Sequence, residues 1–157
     1  MGSKGIPLPM SNDETLNLDH FVCFAVYSAN HAFNRVYKPI LDRLGVTYPQ
    51  FIVLVTLWSE DALTVGQIGE RVMLETNTLT PLLKRLENAG MVRRVRDSAD
   101  ERQVRIFLTD KGRALRAEAE SVPSEISACL GRDADSIAEL TGELTRLRNT
   151  LLARVRP

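Results

Sequence analysis

Cysteine is scarce in this 157-residue chain. Cys23 and Cys129 are its only two, too few for the disulfide framework of a secreted domain and without zinc-type spacing. They are either ordinary thiols or a redox pair. Histidine is as sparse, with His20 and His31 alone, and neither falls in a His/Glu helical motif; no metal ligand set and no cofactor is expected. There is no CxxC pair, no sequence repeat and no run of eighteen apolar residues, so a transmembrane helix is not expected either. The opening MGSKGIPLPMSNDE carries prolines where a secretory signal needs a continuous apolar segment. Residues 1–14 read as a disordered or tag-derived leader on a cytoplasmic protein. Net charge is also absent, 20 basic residues balancing 20 acidic ones, which by itself favours no class of partner.

What is present is unevenly placed. Between Lys84 and Arg113 nine basic residues face five acidic ones, and the rest of the chain is correspondingly acidic. Apolar residues from Phe21 to Leu41 recur at three- and four-residue steps, predicting a helix from Thr15 to Leu44 that Pro39 kinks or breaks and Gly45 stops. A second helix is expected from Tyr48-Pro49 to Trp58. Thr64 is a good N-cap for a short helix carrying Val65, Ile68 and Val72; after Met73-Leu74-Glu75 another carries Leu79, Leu82, Leu83 and Leu86 and ends at Gly90. Two short helices with a three-residue turn form a helix-turn-helix. Val92 to Arg96 and Gln103 to Leu108 then read as the two strands of a wing around the polar turn Asp97 to Arg102. Thr109 caps a helix that Val122-Pro123 interrupts. A break near Gly131 precedes an amphipathic last helix with Leu140, Leu144, Leu147 and Leu151.

A helix-turn-helix followed at once by an arginine-rich hairpin points to double-stranded DNA. The outward face of the second helix offers Thr76, Asn77, Thr78, Thr80 and Pro81 for close approach to a groove, with Lys84 and Arg85 able to reach phosphates or guanine edges. Pro81 costs a helical hydrogen bond unless it lies in the first turn. The bland reading of the hairpin is a solvated charged turn. The expected architecture is mainly α with a small β-wing: a first dimerisation helix over residues 15–48, a winged helix-turn-helix over 49–110, and C-terminal dimerisation helices over 111–157.

The thiol has neighbours at telling distances. Tyr27 lies one turn from Cys23, roughly 6 Å along the helix, whereas Tyr37 points along nearly the same face but roughly 21 Å away. Tyr37 therefore reaches its own Cys23 only if the helix folds back, and reaches that of a second copy if two helices pack antiparallel. Equally, cysteine and tyrosine on a half-buried face are ordinary packing residues.

The segments ETNTLTPLLKRLENAG, DSADERQV and LTDKGRAL, within a match from about Leu18 to Arg156, resemble the MarR family of dimeric winged-helix transcription regulators. Within it the chain looks most like the organic hydroperoxide resistance regulators. That resemblance implies a peroxide-sensing cysteine at Cys23, thiol-positioning phenols at Tyr37 and Tyr48 with a further tyrosine at Tyr27, and a resolving cysteine at Cys129. It also implies a major-groove surface of Thr76, Asn77, Thr78, Pro81 and Arg85, and a minor-groove contact from Arg102. Phe21, Phe24 and Trp58 would provide an apolar surround suited to alkyl hydroperoxides. The implied protein is a homodimeric repressor rather than an enzyme, released from its operator when Cys23 is oxidised and joined to Cys129 of the partner subunit. Two alternatives stand beside it: a regulator of this fold answering a small aromatic or phenolic ligand, and a thiol peroxidase.

Overall fold

The computed structural model describes residues 16–155; the leader assigned to residues 1–14 lies outside them. The Asn17 side chain accepts from the Asp19 N–H at 3.0 Å and starts a single 3-10 turn, Leu18–His20. Phe21 is extended, so α1 spans Val22–Leu44 rather than beginning at Thr15. The short-range cap at Asn17 competes with helix propagation and wins. Pro39 does not break α1. Its missing N–H costs one bond, which the burial of Ile40, Leu41 and Leu44 just beyond it offsets.

Gly45 takes the left-handed conformation (φ 69°), and its N–H donates to Asp42. Two residues later the Thr47 N–H donates to Gln50 Oε1 at 2.9 Å and opens α2, Tyr48–Ser59, with Pro49 in its first turn. β1, Leu63–Thr64, leads into α3, Val65–Val72. Thr64 caps α3 reciprocally with Gln67, by bonds of 2.9 and 3.2 Å. After the Met73–Glu75 turn comes α4, Thr76–Asn88, then β2, Val92–Arg96, and β3, Val104–Leu108. α5 (Asp110–Ala119), α6 (Val122–Cys129) and α7 (Ala134–Val155) complete the chain.

The wing has three strands, not two. Their order is β1-β3-β2, all antiparallel, with Leu63 opposite Ile106 and Arg94 opposite Ile106 from the other side. A two-residue strand is too short to display an alternating pattern, which is why only the hairpin was visible in the sequence. One apolar core runs from Ile40 through Leu54, Ile68, Leu83 and Ile106 to Ile126. α7 stands apart: none of its side chains is buried, and Leu140, Leu144, Leu147 and Leu151 are exposed, as are Val22, Val26 and Phe33 on α1. Among the described residues no single helix is long and apolar enough to cross a membrane.

Candidate functional site

Two surfaces emerge, one basic and one built around the thiol. α4 buries Leu79, Leu82, Leu83 and Leu86 and thereby turns Thr76, Asn77, Thr78, Thr80, Pro81, Lys84 and Arg85 outward, all exposed. Pro81 lies beyond the first turn of this helix. It therefore leaves the Asn77 carbonyl without its helical donor, while the Thr80 hydroxyl donates to the Thr76 carbonyl at 2.8 Å.

The basic residues divide into anchors and free cations. Arg105 donates to the Asp97 carboxylate and, at 2.9 Å, to the Ala62 carbonyl, tying β3 to the approach to β1. The Ala99 amide, and then Arg105, hold the Asp97 carboxyl below its ordinary range. Glu87 of α4 accepts from the backbone N–H of Arg94 at 3.1 Å and from its side chain at 2.8 Å, and these bonds lower its pKa. Asp61 accepts from the Leu108 N–H at 2.9 Å and from Arg113 at 3.0 Å. Lys111 donates to the Ala89 carbonyl at 2.8 Å.

Lys84, Arg85, Arg96 and Arg102 form no ion pair among the described residues, and Arg93 lies 4.4 Å above the Phe107 ring. These unpaired cations line the outward face of α4 and the wing. Arg102, with its N–H donating to Asp100 at 3.0 Å, shares a surface groove with Thr76, Gln67 and Glu70. Sequence reading missed Arg96 as a candidate contact and missed Asp61 and Glu87 as anchors, since only the fold shows which arginines are already satisfied.

The thiol-side residues fall into three places. Cys23 is exposed near the start of α1, in a cleft of about 640 Å³ whose other wall is Leu144, Leu147, Leu151 and Leu152 of α7, with Arg148 among its lining residues. Trp58 is not part of that lining; its Nε1 donates to the Gly112 carbonyl at 2.8 Å and its ring meets Phe51 edge-on. Cys129, also exposed, ends α6 in a separate crevice against Ala29, Ala32, Phe33 and Val36 of α1. Tyr27 is 61% exposed and packs edge-to-face on His31, ring centroids 4.5 Å apart.

Tyr37 and Tyr48 do meet. The left-handed Gly45 and the Thr47 start of α2 turn the chain so that the two rings lie 4.8 Å apart. They line a depression of about 330 Å³ with Asn34, Lys38, Asp42 and Thr47. Burial, and secondarily Tyr48, push the Tyr37 phenol above its ordinary pKa, so its hydroxyl keeps its proton and is a donor. Among the described residues no cluster of three or more His, Cys, Asp or Glu is placed to hold a metal ion.

Comparison with known proteins agrees with the fold. Residues 35–118 match the family described as transcriptional regulator SarA/Rot. The HTH-type transcriptional regulator TtmR of Methylorubrum extorquens is 46% identical over 151 residues, spanning 96% of this chain and 77% of the relative. The organic hydroperoxide resistance transcriptional regulator of Bacillus subtilis is 38% identical over 136 residues, 87% of this chain and 92% of its own. Among solved structures, reduced AbfR bound to DNA superposes with a TM-score of 0.75 at 38% identity, covering 86% of this chain and 92% of that one. AbfR has also been solved overoxidized on DNA and in a disulfide-formed state, with TM-scores of 0.64 and 0.60. By fold, basic winged surface and these matches, the chain belongs to the MarR/SarA-type winged-helix transcriptional regulators and is related to the organic hydroperoxide resistance regulator and to AbfR.

Proposed function

We propose that the protein is a redox-sensing repressor whose reduced homodimer holds operator DNA and whose release follows oxidation of Cys23 by an organic hydroperoxide. The observation that carries this reading is the unbroken α1. Cys23 and Tyr37 sit on one continuous helix, Val22–Leu44, and the fourteen residue steps from one to the other span roughly 21 Å at about 1.5 Å per residue. The paired phenols therefore form a donor pocket out of reach of the thiol of their own chain. A second chain packed antiparallel along α1 supplies one. The exposed apolar faces of α1 and α7 give that second chain a surface to bury. On this reading residues 15–48 and 111–157 build the dimer and residues 49–110 read DNA through Thr76, Asn77, Thr78, Pro81, Lys84, Arg85 and Arg102.

The chemistry follows from the donors. Phenol hydroxyls aimed at sulfur stabilise the thiolate over the thiol. The thiolate attacks one peroxide oxygen, the O–O bond breaks, and the alkoxide leaves as alcohol after taking a proton; Cys23 is then a sulfenic acid. Attack by the Cys129 thiolate on that sulfur breaks the S–O bond, expels hydroxide, which is protonated to water, and forms the disulfide. Cys23 and Cys129 line different crevices along α1, so closure displaces a helix and with it the attached winged domain. That overoxidized AbfR was solved on DNA favours disulfide closure, rather than sulfur oxidation alone, as the releasing event.

One equivalent of an organic hydroperoxide, followed by nonreducing denaturing electrophoresis and DNA-binding measurements, tests this. The expected results are a reducible covalent dimer and loss of DNA for the native sequence, arrest at sulfenic acid for Cys129→Ser, and DNA retained throughout by Cys23→Ser. Release of DNA by protein that stays wholly monomeric on the gel would overturn the intersubunit bond. Release from Cys23→Ser by a phenolic ligand would replace the redox reading with a ligand-responsive one.

A further inference from the structure

Two charged groups in the phenol pocket are not used by the chemistry above. Lys38 and Asp42 line it beside Tyr37, Tyr48 and Asn34. The Lys38 ammonium donates to both carboxylate oxygens of Asp42, at 3.1 and 2.9 Å, one turn along α1. The pair is water-exposed, with side chains 73% and 62% accessible. An exposed i,i+4 pair of this kind holds its partners weakly, so it parks the ammonium at the pocket without fixing it there. The four-carbon stem of a lysine leaves its charge free to re-aim at a stronger, drier anion. A sulfur anion entering between the two phenols would be such an anion: the hydroxyls supply neutral donors, and among the described residues Lys38 is the one cation lining the depression.

We propose that Lys38 is a further positioning residue of the sensing site, exchanging Asp42 for the thiolate of Cys23 of the partner subunit and thereby raising the fraction of that thiol present as thiolate. The proposal rests on the two-chain reading of the site. Asp42 takes the opposing role: its carboxylate competes for the ammonium and repels the sulfur anion, which sets the reactivity below what Lys38 alone would give. Tyr37 and Tyr48 are the other titratable groups of the pocket, Asn34, whose Nδ2 donates to the Asn30 carbonyl at 2.9 Å, is neutral, and on the thiol's own chain Arg148 lines the Cys23 cleft and is present in every variant compared.

The test is the rate of Cys23 alkylation against pH in the full-length reduced dimer, in a Cys129→Ser background so that one thiol is read. Lys38→Met is expected to slow alkylation at neutral pH about three- to tenfold and move its pH midpoint upward, since a tenfold change in thiolate fraction corresponds to one pH unit. Lys38→Arg is expected to keep most of the rate, and Asp42→Asn to exceed the native rate. Dimer mass and operator affinity are measured for each variant alongside the rates, so that an effect on the thiol is separated from loss of the dimer. A Lys38→Met profile that superposes on the native one, or an Asp42→Asn profile that does, overturns the proposal while a slowed Tyr37→Phe/Tyr48→Phe double variant leaves the phenol site standing. If the double variant is also unchanged, the two-chain site falls and Lys38 with it.

Discussion

At the scale of single residues, glycine is required at Gly112 and dispensable at Gly66. A Cβ at Gly112 would stand 2.0 Å from the Met91 carbonyl oxygen and 3.2 Å from Leu108, at the point where α5 presses on the strand ends. The Met91 carbonyl is not free to yield, because it accepts from the Thr109 N–H and hydroxyl, and Gly112 cannot easily withdraw, because its own carbonyl accepts from Trp58. At Gly66 a Cβ would meet only Thr64 Oγ1, at 3.9 Å. Gly112→Ala should therefore cost at least about 1–3 kcal/mol, as overpacking against fixed atoms does. Gly66→Ala should be neutral or stabilise by up to about 1 kcal/mol through helix propensity and unfolded-state entropy. Thermal and denaturant unfolding of the two variants checks both signs, and a Gly112→Ala protein as stable as the native one would mean that α5 does not pack this closely.

At the scale of elements, on the proposed reading the division between anchoring and free arginines governs how α4 and the wing meet nucleic acid. Arg85→Ala should weaken binding to the specific operator by about 1–3 kcal/mol if it reads a base edge. Arg102→Ala should weaken specific and random DNA alike and lower the slope of affinity against salt by about one ion. Binding isotherms at several salt concentrations separate the two, and unchanged affinity in both variants would move the reading surface elsewhere. Most of these elements were legible beforehand, because α4, β2 and β3 announce themselves through short-range periodicity, and Thr64, Gly90 and Thr109 through capping chemistry. What was not legible depends on partners far apart in sequence: β1 exists only because β3 returns beside it, and the roles of Asp61 and Arg105 depend on contacts with Arg113 and Ala62. The sequence allows Pro39 a kink or a break, and the helix is not broken there, because the burial that carries α1 through it belongs to the core rather than to the segment. The resemblance implies Tyr37 and Tyr48 as donors to one thiol; the turn at Gly45 is what places their rings together.

At the scale of the whole molecule, a single chain leaves α7 without a buried residue and Leu140, Leu144, Leu147 and Leu151 exposed. On the proposed reading one continuous helix, α1, carries the reactive sulfur near one end and a phenol for the partner's sulfur toward the other, beside Tyr48 of α2. The two halves of the site are then inherited separately, which makes the dimer subject to complementation. A Cys23→Ser chain keeps good phenols and a Tyr37→Phe/Tyr48→Phe chain keeps a good thiol, and each homodimer is defective. Unfolding and refolding the two together should create mixed dimers with one fully native site and one doubly defective site. Fast alkylation and fast peroxide response should reappear in the mixture at up to one thiol per mixed dimer. No recovery would mean that each chain serves its own cysteine; recovery would mean that two broken copies of this protein can repair one another.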